Sequence, residues 1–176
     1  MVRLTLTAVA ITFAAAAVPF QDTAPGLAAG LTARAQVAQA ITAAKQWRPD
    51  AVLTHVSSLA VNADGTAKWW MYTFYAQQTK KSLNITITPG APLDTLEVPN
   101  TSMVPLGDVW VDSDKALQTA KQHDLKGTSL SMGLVVMGFT GSPVWAVNGG
   151  YNEGDVSVVL DGKTGSFIRR EVISYK

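Results

Sequence analysis

The two histidines, His55 and His123, are the residues of this sequence best suited to acid–base or metal chemistry. Neither has a second histidine or a carboxylate at metal-ligand spacing, except Asp124 directly beside His123, and one adjacent pair cannot form a site alone. We expect His55 to lie on the face of a strand. We expect His123 to lie solvated in the last turn of a helix, where its charge suits the helix dipole. The sequence therefore predicts no metal site.

Two acidic pairs are further candidates for carboxylate catalysis or calcium binding. One pair is Asp112 with Asp114, and the other is Glu153 with Asp155. The successive oxygen ligands of a calcium loop are missing around both pairs, and helix capping and loop solvation explain them. We predict no cofactor.

No serine stands in the setting of a catalytic nucleophile. The pattern Gly-x-Ser-x-Gly is absent, and residues 127–129 and 141–143 have turn-forming sequences without a base beside them. The glycines at positions 149, 150 and 154 do not open a helix after a strand, so they predict a loop and not a phosphate cradle. We therefore expect no catalytic residues and a protein that is not an enzyme.

An aromatic strand is the remaining candidate for function. Alternation along residues 69–75 places Trp69, Met71 and Tyr75 on one face and Trp70 on the other. Because Thr73 and Gln77 share the face of Trp69, we predict that this face meets solvent and binds a protein partner through Trp69, Met71 and Tyr75. The alternative is that both faces are core.

The N-terminus predicts export. Arg3 is the only charge before an apolar run over residues 4–20, and polar residues follow from Gln21. This order is typical of a secretory signal peptide, so residues 1–28 are interpreted as signal peptide and disordered start, with cleavage after Ala17 or Ala28. A retained membrane anchor is the alternative. We expect a periplasmic or extracellular protein that does not contact the membrane after cleavage.

Composition narrows the class further. There are no cysteines, which excludes disulfides, thiolate chemistry and the acylated cysteine of a bacterial lipoprotein. The sequence is 47% hydrophobic and 15% charged, which favours a packed core. A net charge of +1, with no basic cluster longer than Lys80-Lys81 or Arg169-Arg170, predicts no nucleic-acid partner.

The pattern of apolar residues predicts two similar series of elements. The first consists of a helix at residues 31–46, a hairpin of residues 51–62 and 67–76 turning at Asp64-Gly65, and strands at 82–88 and shortly after 92. The second consists of a helix at 114–123 and strands at 130–140, 144–147, 156–160 and 167–174, with a tight turn at 161–165. Arg48-Pro49 ends the first helix, and Asp112 or Ser113 opens the second, which Gly127 caps.

This organisation predicts an α+β fold of two tandem units, each a helix with an antiparallel sheet. The first unit covers residues 31–99, a linker covers residues 100–110, and the second unit covers residues 111–176.

Three segments resemble the PepSY-type domain family: residues 110–117 (WVDSDKAL), 143–147 (PVWAV) and 158–165 (VVLDGKTG). In that family a helix packs on a small antiparallel sheet, and a strand ending in an Asp-x-x-Thr-Gly turn is the recurrent mark. Residues 35–88 resemble a diverged copy, in which Pro89-Gly90-Ala91-Pro92 replaces that turn. The units are also similar to cystatin-like folds and, more distantly, to the secreted β-lactamase inhibitor proteins, which bind with a concave sheet.

The resemblance implies a binding role. PepSY-type domains are similar to parts of secreted peptidase propeptides that restrain the peptidase, so the expected partner is a secreted or envelope protein of the peptidase type. We expect an exported, non-enzymatic binding protein that restrains or inhibits such a hydrolase. The alternatives are a structural envelope protein without an inhibitory role and an enzyme of unrecognised type.

Overall fold

The computed structural model describes residues 30–99, 104–138, 141–151 and 154–173; the predicted signal peptide lies outside the described residues. Within these ranges there are two helices and eight strands. In chain order they are α1 (Val37–Trp47), β1 (Ala51–Val61), β2 (Trp70–Ala76), β3 (Lys81–Ile87), β4 (Asp94–Val98), α2 (Ser113–Gln122), β5 (Ser129–Val136), β6 (Pro143–Tyr151), β7 (Gly154–Asp161) and β8 (Phe167–Ile173).

All eight described strands belong to one sheet. Its order is β4-β3-β2-β1-β5-β6-β7-β8, and every neighbouring pair is antiparallel. The strand β1 lies near the middle, with β2 on one side and β5 on the other. The predicted hairpin of β1 and β2 is confirmed, and so is the antiparallel pairing of β7 with β8.

The expected fold class of two tandem helix-plus-sheet units is wrong. The observed fold is dominated by a single eight-stranded sheet, because β1 bonds to β5 along the line where two separate sheets would have ended. This pairing satisfies backbone groups that a free strand edge would leave open. One cluster of buried residues connects both halves of the sheet and both helices, from Ala40 of α1 to Leu160 of β7. The boundaries at residues 31–99, 100–110 and 111–176 stay a prediction about chain organisation.

The first helix is shorter than predicted. Leu31 is not helical; its N–H and C=O both bond to Ala67, which ties the segment before α1 to the sheet. The helix begins at Val37 and ends at Trp47, as the Arg48-Pro49 sequence predicts. Its buried residues are Ala40 and Ala44, whose small side chains allow close packing on the sheet.

The second helix has the predicted N-terminal cap. Asp112 precedes the helix, and its Oδ1 accepts a hydrogen bond of 2.7 Å from the backbone N–H of Ser113. The predicted role of Gly127 at the other end is wrong. His123 is the C-cap, and Asp124, with φ of 61°, takes the left-handed conformation that ends the helix.

The glycines at positions 149 and 150 do not form the predicted loop. They belong to β6, which continues to Tyr151, and β7 begins at Gly154. A Cβ atom at Gly149 would overlap the carbonyl oxygen of Lys126, so glycine is required here for a close approach between two backbone segments.

The tight turn after β7 is confirmed. The Oδ1 atom of Asp161 accepts hydrogen bonds from the backbone N–H groups of Lys163, at 2.9 Å, and Thr164, at 2.8 Å. These bonds lower the pKa of Asp161 below its ordinary value, since they favour the carboxylate.

Neither of the two helices in the described ranges has the length and apolar character of a membrane-spanning segment.

Candidate protein-binding face

Both helices pack on the same face of the sheet. The largest buried side chains of that face include Trp70, Tyr72, Phe74, Leu134 and Trp145, none more than 1% exposed. Since side chains alternate along each strand, the residues between them point to the opposite side. We call that side the open face, and most of its side chains are half-buried. Across the central strands it carries Ser82, Asn84 and Thr86 of β3, Met71, Thr73 and Tyr75 of β2, His55 and Ser57 of β1, Ser131, Gly133 and Val135 of β5, Val144, Ala146 and Asn148 of β6, and Ser157 and Val159 of β7.

The centre of the open face has no formal charge. None of its residues just named is Asp, Glu, Lys or Arg. The charged residues on the same side of the described strands lie towards the rim, such as Asp94 in β4 and Arg169 and Glu171 in β8. A neutral centre with a charged rim matches the anatomy of protein interfaces, whose buried centres are depleted in charged side chains.

The three predicted binding residues share this face. Met71 and Tyr75 lie in β2 and are half-buried, and Trp69, also half-buried, directly precedes the strand in the same alternation. Between them Thr73 is only 5% exposed and donates a hydrogen bond of 2.9 Å to Oδ1 of Asn84. We call Trp69, Met71 and Tyr75 the aromatic column. It is partly open to solvent, and the bond from Thr73 to Asn84 links it to the neighbouring strand β3. Its role in binding stays a prediction.

His55 lies at the middle of the open face, on β1. It is paired with Thr73 on one side and with Val135 on the other. Its Nε2 atom lies over Gly133, 3.4 Å from where a Cβ would stand, so the absence of a side chain at Gly133 leaves room for the imidazole ring. Burial lowers the pKa of His55 below its ordinary value, which keeps the ring neutral and able to both donate and accept hydrogen bonds.

The position of His55 on a strand face is confirmed, but the sequence analysis did not connect it with the aromatic column. The missing step is the pairing of β1 with β2 in a register where His55 faces Thr73. The sequence does contain a signal for the β5 part of the open face. In β5 the apolar residues Leu130, Met132 and Leu134 alternate with Ser131, Gly133 and Val135, a pattern that predicts one buried and one open side.

The other candidates for chemistry lie elsewhere. His123 caps α2, and its ring stacks on Phe167 with centroids 4.0 Å apart. Asp112 and Asp114 lie at the start of α2, where they cap the helix and complement its dipole, whereas Glu153 lies outside the described residues. Within the described ranges, no group of three His, Cys, Asp or Glu residues could hold a metal ion.

The open face has a mixed composition. It combines short hydroxyl and amide side chains, which adapt their hydrogen bonds, with Trp69, Met71 and Tyr75, which supply contact area. This mixture resembles the composition of paratopes, in which Tyr and Trp anchor and Ser, Gly and Asn adapt.

Comparison with solved structures shows a similar fold in the crystal structure of a candidate lipoprotein from Clostridium difficile 630. The two share 14% sequence identity with a TM-score of 0.55, and the match covers 77% of this chain and 91% of the other. No protein-family model and no curated protein matches the sequence. The likeness therefore concerns the fold alone.

Proposed function

We propose that this protein is an exported binding protein that captures a protein partner on the open face of its sheet. The observation that carries the proposal is the neutral, half-buried centre of that face, opposite the face that the two helices cover. A large face of small polar and aromatic side chains without formal charge avoids the high cost of removing an ion from water, and its hydroxyl and amide groups can be hydrogen-bonded by the partner. It is therefore suited to burial against another protein surface.

The apolar sequence at residues 4–20 supports export, and the fold shared with a candidate lipoprotein supports a place in the cell envelope. The sequence resemblance to PepSY-type domains supports a secreted or envelope hydrolase as the partner. Binding on the open face would then restrain that hydrolase by covering the approach to its active site.

The column of Trp69, Met71 and Tyr75 supplies the anchors in this proposal. Trp and Tyr carry a large share of the binding energy at protein interfaces, since each buries much area at a small cost in side-chain entropy. His55 and Asn84, next to this column, would supply directional hydrogen bonds from uncharged groups.

Site-specific photocrosslinking in the native envelope tests the proposal. A photoreactive amino acid at Tyr75 reports contacts of the open face, and the same residue at Gln39, exposed on α1, is the matched control on the helix side. We expect one discrete crosslinked protein from position 75 and none from position 39. Equal crosslinking from both positions, or crosslinking from position 39 alone, would refute binding through the open face.

The restraint of a hydrolase is tested on the crosslinked partner itself. Adding the purified protein to that partner should lower its rate of substrate cleavage in a dose-dependent manner, and the double variant Trp69→Ser with Tyr75→Ser should not. A partner that is bound but not slowed would instead favour a structural role in the envelope.

A further inference from the structure

An apolar cleft opens on the helix side of the molecule, away from the centre of the open face. It has a volume of about 290 Å³ and lies between α1 and the segment of residues 105–110. This volume is at the lower end of small-molecule sites, which are roughly 300–1,000 Å³. The cleft is therefore large enough for a small ligand but not for a peptide segment.

The walls of the cleft are mainly aliphatic and aromatic. Val37 and Ile41, one turn apart on α1, form one wall, and Leu53 and Phe74 lie at the floor. Ile41 is 38% exposed although its neighbours Ala40 and Ala44 are fully buried against the sheet. Ile41 and the partly buried Val37 thus form a second apolar stripe of the helix, which lines the cleft.

Two cations border this apolar surface. The guanidinium of Arg34 lies 4.4 Å from the ring centroid of Trp110 and donates to the carbonyl oxygens of Trp110, at 2.6 Å, and Asp108, at 3.3 Å. At the other end of the stripe, Lys45 donates to the carbonyl oxygen of Pro49 at 2.8 Å. In the described part of the chain neither cation has an ion pair; both donate only to backbone oxygens.

The charge of the lining is uneven. The one carboxylate that lines the cleft among the described residues belongs to Asp108, in the segment of residues 105–110 to which Arg34 is hydrogen-bonded. The Lys45 end therefore carries the uncompensated positive charge. Lys45 is exposed, so its flexible stem allows the ammonium to turn towards a ligand at the mouth of the cleft.

From this arrangement we infer that the cleft binds a small amphiphilic carboxylate. Its apolar tail lies along Val37, Ile41 and Leu53, and its carboxylate meets the ammonium of Lys45. This ligand satisfies both features at once, because it covers the exposed stripe of α1 and supplies the counter-ion that Lys45 lacks.

Calorimetric titration of the full-length chain with octanoate tests the inference, with 1-octanol and acetate as probes that lack the charge or the tail. We expect octanoate to bind, 1-octanol to bind more weakly, and acetate not to bind. Lys45→Met keeps the stem but removes the charge, and should weaken octanoate binding about two- to fivefold, the value of one exposed ion pair, with Gln46→Met as its control.

A second pair of variants locates the tail. Ile41→Asp places a carboxylate inside the cleft and should abolish octanoate binding, whereas Thr42→Asp makes the same kind of change on the next, outward position of α1 and should leave it intact. Far-UV circular dichroism verifies that both variants keep their helices. Failure of octanoate to bind the unmodified protein, equal binding of octanoate and 1-octanol, or unchanged binding by folded Ile41→Asp would each overturn the inference.

Discussion

The indole rings of Trp70 and Trp145 meet edge to face in the core, with centroids 6.4 Å apart and an interplanar angle of 73°. Each ring is also hydrogen-bonded to the segment that precedes a helix, Trp70 to the one before α1 and Trp145 to the one before α2. The Nε1–H of Trp70 donates to the carbonyl oxygen of Leu31 at 2.7 Å, and that of Trp145 to the carbonyl oxygen of Val111 at 2.9 Å. Both tryptophans are buried, at 1% and 0% exposure.

Replacement of either core tryptophan by alanine should be strongly destabilising. We expect Trp70→Ala and Trp145→Ala each to lower the free energy of unfolding by about 3–5 kcal/mol, because each removes a packed aromatic side chain together with its hydrogen bond to the segment before a helix. Denaturant unfolding followed by far-UV circular dichroism measures this. The control is Val172→Ala, at a residue 58% exposed. A loss below about 1 kcal/mol at either tryptophan would contradict its place in the core.

The hydroxyl of Ser113 joins two distant segments. It accepts a hydrogen bond from the backbone N–H of Ala33 at 3.0 Å and donates one to the carbonyl oxygen of Gly65 at 2.7 Å, and the residue is fully buried. Ser113→Ala should therefore cost about 2–4 kcal/mol, since both backbone groups lose their partner away from water. Thr119→Ala, which removes an exposed hydroxyl on the same helix, should cost much less. Equal unfolding midpoints for the two variants would show that the Ser113 bridge contributes nothing.

The stability of the protein should depend on pH through His55. Its pKa is lowered by burial from the ordinary value of 6.5, so the unfolded state takes up the proton first as the pH falls. The stability gained from the neutral ring is fully present above 6.5 and is lost as the pH falls from there through the lower pKa of the folded protein.

The variant His55→Gln provides the comparison, since glutamine stays neutral. The unfolding free energy of the unmodified protein, relative to this variant, should fall between about pH 7 and pH 5. A two-dimensional NMR titration should show the ring of His55 changing its protonation below the ordinary value. A constant difference between the two proteins across that range would contradict the effect of burial.

The double variant Trp69→Ser with Tyr75→Ser separates binding from folding. Because both side chains are half-buried on the open face, we expect a loss of about 1–2 kcal/mol in total, less than that of one core tryptophan. Thermal unfolding measures this loss, and capture of the crosslinked partner should be abolished in the same preparation. Global unfolding of the double variant would show that the aromatic column belongs to the core.

The exported form should retain Leu31. The two hydrogen bonds between Leu31 and Ala67, both 3.0 Å, and the complete burial of Ala33 make this segment part of the fold. Cleavage after Ala17 or Ala28 keeps it, so intact mass spectrometry of the protein from the envelope should show an N-terminus between about residues 18 and 30. An N-terminus at Met1 in a washed membrane fraction would instead favour a retained anchor.

Local structure could be read from the sequence because local signals determine it. Asp112 before α2, Pro49 after α1 and the turn of Asp161 each bond or clash within a few residues of themselves. Such interactions depend on the sequence in one short window, so the corresponding helix ends and hairpins were predicted close to their observed positions.

The arrangement of the strands could not be read in the same way. The pairing of His55 with Val135 depends on a strand that comes eighty positions later in the chain. No local sequence pattern specifies that β1 pairs with β5 and not with another strand. The glycines of β6 were predicted to form a loop for a related reason. Gly149 is needed because the carbonyl group of Lys126 packs against it, and Lys126 is its neighbour only in the folded protein. The same holds for the candidate site. The alternation along one strand predicts its aromatic column, whereas the histidine and serine residues around the column are brought there by the register of the neighbouring strands.

The position of β1 between β2 and β5 also sets the order in which the molecule can be completed. During synthesis β1 emerges long before β5, so one of its edges has no partner until residue 136 has been made. Contacts between residues so distant along the chain form slowly, because the entropic cost of closing the loop must be met before the contacts can stabilise it. The two halves of the sheet can therefore join only after β5 has been made, so the central pairing of β1 with β5 is a late step in folding.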